Sequence, residues 1–167
     1  MQKVNRPRGK WRDVVFGGVA LLVILADQLS KEWIRGHLAA NSVLFDAGFF
    51  QIVNVQNSGA AFGIFRNHTP ALIVISFVSM AVILLFVLVL HHRWTFLDRW
   101  PVRVAIGLVM GGTIGNQIDR LRLGHVTDFI DFKWWPAFNV ADASAVIGAF
   151  IVAYCIIFLS GLGKRKA

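Results

Sequence analysis

The sequence has little cysteine and little charge, and both shortages narrow what the chain can be. Cys155 is the single cysteine among 167 residues, which excludes an intrachain disulfide framework and a zinc site of the CxxC type. Charged residues make up 16% of the chain and hydrophobic residues 56%, and the mean hydropathy is +0.62. These values exclude a disordered tail and disfavour an ordinary soluble domain.

Acidic residues are also scarce. There are nine of them against 17 lysines and arginines, which gives a net charge of +8. In a soluble chain this excess would suggest a nucleic-acid partner. Here the hydropathy suggests a membrane first, and basic residues mark the cytoplasmic side of membrane proteins. We therefore expect lipid contact and no nucleic acid.

Four stretches of the chain suit membrane-spanning helices, each of which needs about 20 mostly apolar residues. The predicted helices cover 13–35, 70–91, 102–119 and 138–161. Basic residues precede the first stretch, as in a signal peptide, but no A-x-A-like cleavage site follows it. We therefore interpret the first stretch as a retained helix.

The distribution of basic residues orients these helices. With four spans, eleven lysines and arginines lie on the side of the termini and six on the other side, so both termini are predicted to be cytoplasmic. The extracytoplasmic segments are then 36–69 and 120–137, and in the first of them residues 49–56 partly alternate and favour a short strand or hairpin. The predicted fold is a single domain, 1–167. It is an all-α membrane protein with four transmembrane helices and a small β-containing extracytoplasmic segment between helices 1 and 2.

Polar residues interrupt three of the four helices at a similar depth. At ~1.5 Å per residue, Asp27, Asn116 and Asp142 lie about 20–28 Å above the inner ends of their helices, in the outer third of a core about 30 Å thick. Placing a carboxylate at that depth costs free energy, so such residues are expected to be paired with a cation, hydrated, or part of a functional site. Their shared depth predicts one polar site near the extracytoplasmic face.

Spacing along the helices indicates which of these residues share a face. Asp27 and Lys31 are four residues apart and are interpreted first as a structural pair. Asn116, Asp119 and Arg120 also share a face, and for the last two a structural role and a substrate-binding role stay open. Three glycines spaced by four form a stripe that permits close helix packing: Gly107, Gly111 and Gly115.

The sequence lacks the motifs of two common hydrolase classes. It has no HExxH for metal hydrolysis and no Gly-x-Ser-x-Gly for a serine nucleophile, and no metal site is expected. Two carboxylates that share one proton can catalyse hydrolysis by water without a metal ion or a nucleophilic side chain. Asp128, in an outer segment, and Asp142, at the top of helix 4, suit this pairing, although Asp128 also fits a solvated loop.

Two other functions stay open at this point. A small transporter or proton-relay protein would also use intramembrane acids, but it predicts polar residues through the full membrane depth. The second helix has only Ser76 and Ser79. A non-enzymatic binding or assembly factor would need no carboxylate pair.

Five short motifs occur in order along the chain: Asp27-Gln28-x-Ser30-Lys31, Asn57-Ser58-Gly59-Ala60-Ala61-Phe62-Gly63, Gly115-Asn116-x-x-Asp119-Arg120, Val126-Thr127-Asp128-Phe129 and Phe138-Asn139-x-Ala141-Asp142. Together they resemble the lipoprotein signal peptidases (signal peptidase II), an integral-membrane aspartic protease family. Ser58 stands where the family frequently has Thr, and it keeps the hydroxyl group.

The resemblance implies removal of the signal peptide from a prolipoprotein, just before a diacylglyceryl-modified cysteine, in the bacterial cytoplasmic (inner) membrane. It implies a catalytic pair, Asp128 and Asp142, no cofactor, inhibition by globomycin-type peptides, and a monomer in contact with membrane lipids. Matching substrate-site positions are Asn57, Gly59, Asn116, Arg120 and Asn139. Matching positions expected to support that site or the fold are Asp27, Lys31 and Asp119.

Overall fold

The structure of the protein, a computed structural model, describes residues 10–59, 69–88 and 99–159. Parts of three predictions lie outside these ranges: residues 89–91 of the second helix, 160–161 of the fourth, and 60–68 of the first outer segment. In chain order the elements are α1 Lys10–His37, β1 Val43–Asp46, β2 Gln51–Asn57, α2 Thr69–Leu88, α3 Trp100–Leu123, β3 Val126–Asp131 and α4 Val140–Tyr154. A π-helical segment, Cys155–Leu159, continues α4.

Helix α3 is the centre of the helical part, because it packs against both α1 and α4 while α2 contacts it from the side. The predicted glycine stripe faces α1, which confirms its packing role. A Cβ atom on Gly107 would lie 3.0 Å from Val19 Cβ, and one on Gly111 would lie 2.7 Å from Val23 Cβ. The absence of side chains along this stripe brings the two helix backbones close together.

A three-stranded antiparallel sheet with the order β1-β2-β3 caps one end of the helices. The predicted hairpin between the first two helices is present as β1 and β2. The third strand is a correction, because the sequence analysis confined β structure to the segment between helices 1 and 2. Strand β3 lies between α3 and α4, and its Val126–Phe129 stretch is buried on both faces, so it lacks the polar alternation that marks a half-buried strand.

The helix ends differ from the predicted ones for local reasons. Helix α3 continues past the predicted end at residue 119 to Leu123, because nothing before Gly124 breaks it. Gly124 has φ 77° and its N–H donates to the Arg120 carbonyl, a left-handed cap that glycine adopts without strain. Helix α4 begins at Val140 rather than 138, because Asn139 is extended and caps it.

Two helical segments within the described ranges are long and apolar enough to cross a bilayer, Trp11–His37 and Val140–Phe158. A shorter apolar helix covers Pro70–Leu85. Large apolar side chains are exposed on α1, α2 and α4, which is unusual for a soluble surface. They include Leu22, Leu29, Val74, Val78, Val82, Ile147 and Phe150.

Substituting Gly111 with alanine tests the α1–α3 contact. The new methyl group would meet the Ala20 carbonyl oxygen and Val23 Cβ, each at 2.7 Å, so we expect Gly111→Ala to destabilise the protein by about 1–3 kcal/mol. Thermal unfolding in detergent measures the change. Gly18→Ala is the matched control, because no atom lies within 4 Å of its Cβ position. Its helix propensity should stabilise by up to ~1 kcal/mol. Equal losses in both variants would contradict the packing role.

Candidate active site

A cavity of about 440 Å³ lies between the sheet, α3 and the start of α4. Its polar wall carries two carboxylates, Asp128 and Asp142, and one cation, Arg120. Its apolar wall includes Val126, Trp135, Pro136, Ala137, Phe138, Ala143, Ala145 and Val146. The cavity is therefore a mostly apolar pocket with a few convergent polar groups, which is typical of a ligand site.

Strand β3 holds Asp128 in the cavity wall, where the residue is 2% exposed. Two amide side chains donate to its carboxylate: Asn57 Nδ2 to Oδ2 at 2.8 Å and Asn139 Nδ2 to Oδ1 at 2.7 Å. Burial, and then the negative charge of Asp142, raise the pKa of Asp128 to about 7 against the opposing effect of these hydrogen bonds. Asp128 is thus able to hold a proton near neutral pH.

Asp142 lies in the first turn of α4, where the helix itself fixes its carboxylate. Its backbone N–H donates to Asn139 Oδ1 at 2.9 Å, and its Oδ2 accepts from the Asn139 backbone N–H at 3.3 Å, so the two residues form a capping box. Asn116 Nδ2 donates to Oδ1 at 2.7 Å. The helix N-terminus favours negative charge at this position.

Asn139 is fully buried and contacts both carboxylates. Its side-chain amide donates to Asp128 while its backbone N–H donates to Asp142. The same amide also donates to Asn116 Oδ1 at 3.1 Å and to the Thr127 carbonyl at 3.3 Å. One residue therefore links β3, α3 and α4 at the point where the two acids meet the cavity.

Behind the cavity, Lys31 lies in a cluster of buried charges. Its ammonium group is 2.8 Å from Asp27 Oδ2 and 3.3 Å from Asp119 Oδ2, and it donates to Asn116 Oδ1 at 2.9 Å. Lys31 and Asp27 are 0% exposed and Asp119 is 1% exposed. The Asp27 Oδ1 atom also accepts from the backbone N–H of Ala141 at 3.0 Å. This cluster joins α1, α3 and α4.

Comparisons with known proteins identify the family. The family model described as signal peptidase (SPase) II matches residues 19–158. The chain belongs to the signal peptidase II family. This confirms the resemblance drawn from the five motifs.

Individual relatives agree with this assignment to the signal peptidase II family. A lipoprotein signal peptidase from Dehalococcoides mccartyi is 46% identical over 137 residues, which is 82% of this chain and 85% of that protein. One from Moorella thermoacetica is 40% identical over 149 residues, covering 89% and 96%. A solved structure described as a bacterial membrane enzyme determined by the in meso method at 2.3 Å resolution has 28% identity and a TM-score of 0.73, with 89% of each chain covered.

In this signal peptidase II chain, the residues predicted from the sequence fall into two adjoining groups. Those that line the cavity are Asn57, Gly59, Asn116, Arg120, Asp128 and Asp142. Asn139 contacts the two acids from behind. Asp27, Lys31 and Asp119 form the charge cluster, and the predicted Asp27–Lys31 pair is present as an ion pair. Within the described ranges, no group of three His, Cys, Asp or Glu residues is arranged to hold a metal ion.

Two residues that contact these groups were not predicted from the sequence. Gln28 donates to the Gly115 carbonyl at 3.1 Å and to Asp119 Oδ1 at 3.3 Å. Arg35 donates to Thr127 Oγ1 at 2.9 Å. A signal for Arg35 was available, because it follows Lys31 by four residues and so continues the polar face of the same helix.

Replacing Lys31 with methionine tests the charge cluster. Lys31→Met would leave Asp27 and Asp119 buried without their cation, so we expect a loss of about 3–5 kcal/mol in the free energy of unfolding. Thermal or denaturant unfolding in detergent measures it. The double variant Asp27→Asn/Lys31→Met removes one charge of each sign and should lose less than the single variant. A single variant as stable as the wild type would show that the cluster contributes nothing to folding.

Proposed function

We propose that this chain is a membrane-embedded aspartic endopeptidase that removes the signal peptide from prolipoproteins, cleaving before a diacylglyceryl-modified cysteine. Membership of the signal peptidase II family and the lipoprotein signal peptidases among its relatives support the reaction. The observation that carries the mechanism is that Asp128 and Asp142 line one cavity and share Asn139 as a hydrogen-bond donor.

In the proposed mechanism the two acids share one proton. The ionised carboxylate takes a proton from water as that water attacks the scissile carbonyl carbon. The protonated carboxyl donates to the carbonyl oxygen, which completes a tetrahedral intermediate. Return of a proton to the leaving nitrogen then breaks the C–N bond. A pKa of about 7 for Asp128 is consistent with one proton remaining on the pair near neutral pH.

The other cavity residues suit an extended peptide with a lipid attached. The guanidinium of Arg120 makes no hydrogen bond to any of the described residues and lines the cavity, so it is available to a substrate carbonyl. Gly59 presents backbone without a side chain, and its N–H donates to Asn57 Oδ1 at 2.9 Å, which orders the loop. Val126 and Val146 supply apolar contacts for acyl chains or small side chains.

The proposed setting is the bacterial cytoplasmic (inner) membrane, with 1–167 as a single domain. Four spans, both termini in the cytoplasm and a cavity near the extracytoplasmic face agree with the basic-residue distribution and with the exposed apolar side chains of α1, α2 and α4. The substrate's acyl chains would then stay in the outer leaflet beside the scissile bond. The proposed enzyme acts as a monomer without a cofactor and is blocked by globomycin-type peptides.

Removing either acid tests the pair. We expect Asp128→Asn and Asp142→Asn each to lower kcat for a diacylated precursor by ~10³-fold or more, because an asparagine side chain can act neither as a general base nor as a general acid. Purified protein in detergent is incubated with the precursor, with and without globomycin, and the released signal peptide is quantified. Asp46→Asn is the control, since Asp46 is an exposed carboxylate that pairs with Lys133 away from the cavity. Substantial cleavage by either dyad variant would reject the mechanism.

The pH dependence tests the shared proton. Above about pH 7 the pair loses its last proton, so kcat should fall as the pH rises. Asn57 donates to Asp128 and lowers its pKa, so Asn57→Ala should raise that pKa and move the alkaline limb of the kcat profile to higher pH. Gln56→Ala, at the exposed neighbour in β2, should leave the limb in place. A limb that moves to lower pH in Asn57→Ala would contradict this assignment.

A further inference from the structure

Arg35 lies at the outer end of α1, one turn beyond Lys31, and is not part of the cavity lining. Its side chain is 19% exposed. Nη1 donates to Thr127 Oγ1 at 2.9 Å, and Nη2 donates to Glu32 Oε2 at 2.6 Å. Nη1 is also 3.4 Å from Asp119 Oδ1. The planar guanidinium therefore connects α1 to the start of β3 and to α3 at the same time.

Thr127 is the residue before Asp128, and it is fixed at three of its polar atoms. Its backbone N–H donates to Asp119 Oδ2 at 3.0 Å, its carbonyl accepts from Asn139 Nδ2 at 3.3 Å, and its hydroxyl accepts from Arg35. Thr127 is 0% exposed. The first two contacts come from residues already assigned to the site, whereas the third comes from outside it.

Strand geometry connects these contacts to the acid. Successive side chains of a strand point to opposite faces, so Thr127 faces α1 while Asp128 faces the cavity. A rotation of the strand about its axis would move both side chains together. The bond from Arg35 to Thr127 opposes that rotation from the face away from the substrate.

We propose that Arg35 is a positioning residue, which holds Asp128 in its orientation towards the cavity through the Thr127 hydroxyl. The expected effect on kcat rests on the proposed function, because it requires the peptidase activity. Arg35 does not contact the cavity, so its loss should lower kcat and leave KM nearly unchanged. Small displacements of a reacting group have large effects on rate, and we expect about a tenfold loss of kcat.

The test compares Arg35→Met with Arg122→Met in the cleavage assay. Arg122 is an exposed cation near the end of α3 that makes no hydrogen bond to β3 within the described residues, so it controls for the loss of one positive charge. Arg35→Met should lose about tenfold in kcat with KM within about twofold of the wild type, and Arg122→Met should lose neither. Arg35→Lys should recover part of the loss, because an ammonium group reaches the Thr127 hydroxyl without the second contact to Glu32.

A double-mutant cycle separates positioning through Thr127 from general destabilisation. Thr127→Val removes only the hydroxyl and should lower kcat by a similar factor, and Arg35→Met/Thr127→Val should lose no more than either single variant. Additive losses, a wild-type kcat in Arg35→Met, or a loss confined to KM would overturn the inference. If Arg35→Met fails to fold, Thr127→Val alone still measures the loss of kcat.

Amide hydrogen exchange tests the same inference without a cleavage assay. Arg35→Met should speed exchange across Val126–Asp131, and Arg122→Met should not. If the wild-type protein cleaves no precursor, the proposed function fails, while the exchange comparison still supports or overturns the positioning role. If cleavage occurs and exchange is unchanged in Arg35→Met, the positioning role alone fails.

Discussion

The burial of Lys31 between two carboxylates is the interaction on which the rest of the site depends. A buried cation requires partners in place of water, and here they are Asp27 on α1 and Asp119 and Asn116 on α3. Because Asn116 Oδ1 accepts from Lys31, its Nδ2 is directed at Asp142. The charge cluster thus sets the orientation of an amide that in turn contacts one of the two acids. Asp27 extends the same constraint to the start of α4 through the Ala141 N–H.

Amide side chains donate hydrogen bonds to both cavity acids. Asn57 and Asn139 donate to Asp128 and Asn116 donates to Asp142, so each acid gains hydrogen bonds while no positive charge is added. Cations in the same places would favour full ionisation of both acids. Asn116 instead connects the lysine to one acid, since its Oδ1 accepts from Lys31 and its Nδ2 donates to Asp142.

Much of the site could be predicted from the sequence because polar residues are scarce in apolar helices. Asp27 and Asp142 stand out as carboxylates within predicted apolar helices, and the family motifs indicated that Asp128 belongs to the same site. The third strand could not be predicted in the same way, since its burial on both faces removes the alternation that identifies a strand. The bond from Arg35 to Thr127 joins residues 92 positions apart in the chain, and nothing in the sequence indicates which of its 17 lysines and arginines reaches β3.

The capping box of α4 joins the Asp142 carboxylate, one wall group of the cavity, to the beginning of a helix. Turning the Asp142 carboxyl away from its rotamer would break a bond to the Asn139 N–H, at a cost of about 1 kcal/mol for a lost cap. The free protein therefore already favours this orientation of the Asp142 side chain, and a ligand entering the cavity would need to spend little binding energy on ordering it. The start of α4 and the position of this carboxylate are therefore coupled, and a variant in which the helix began at another residue would displace the carboxylate from the cavity wall.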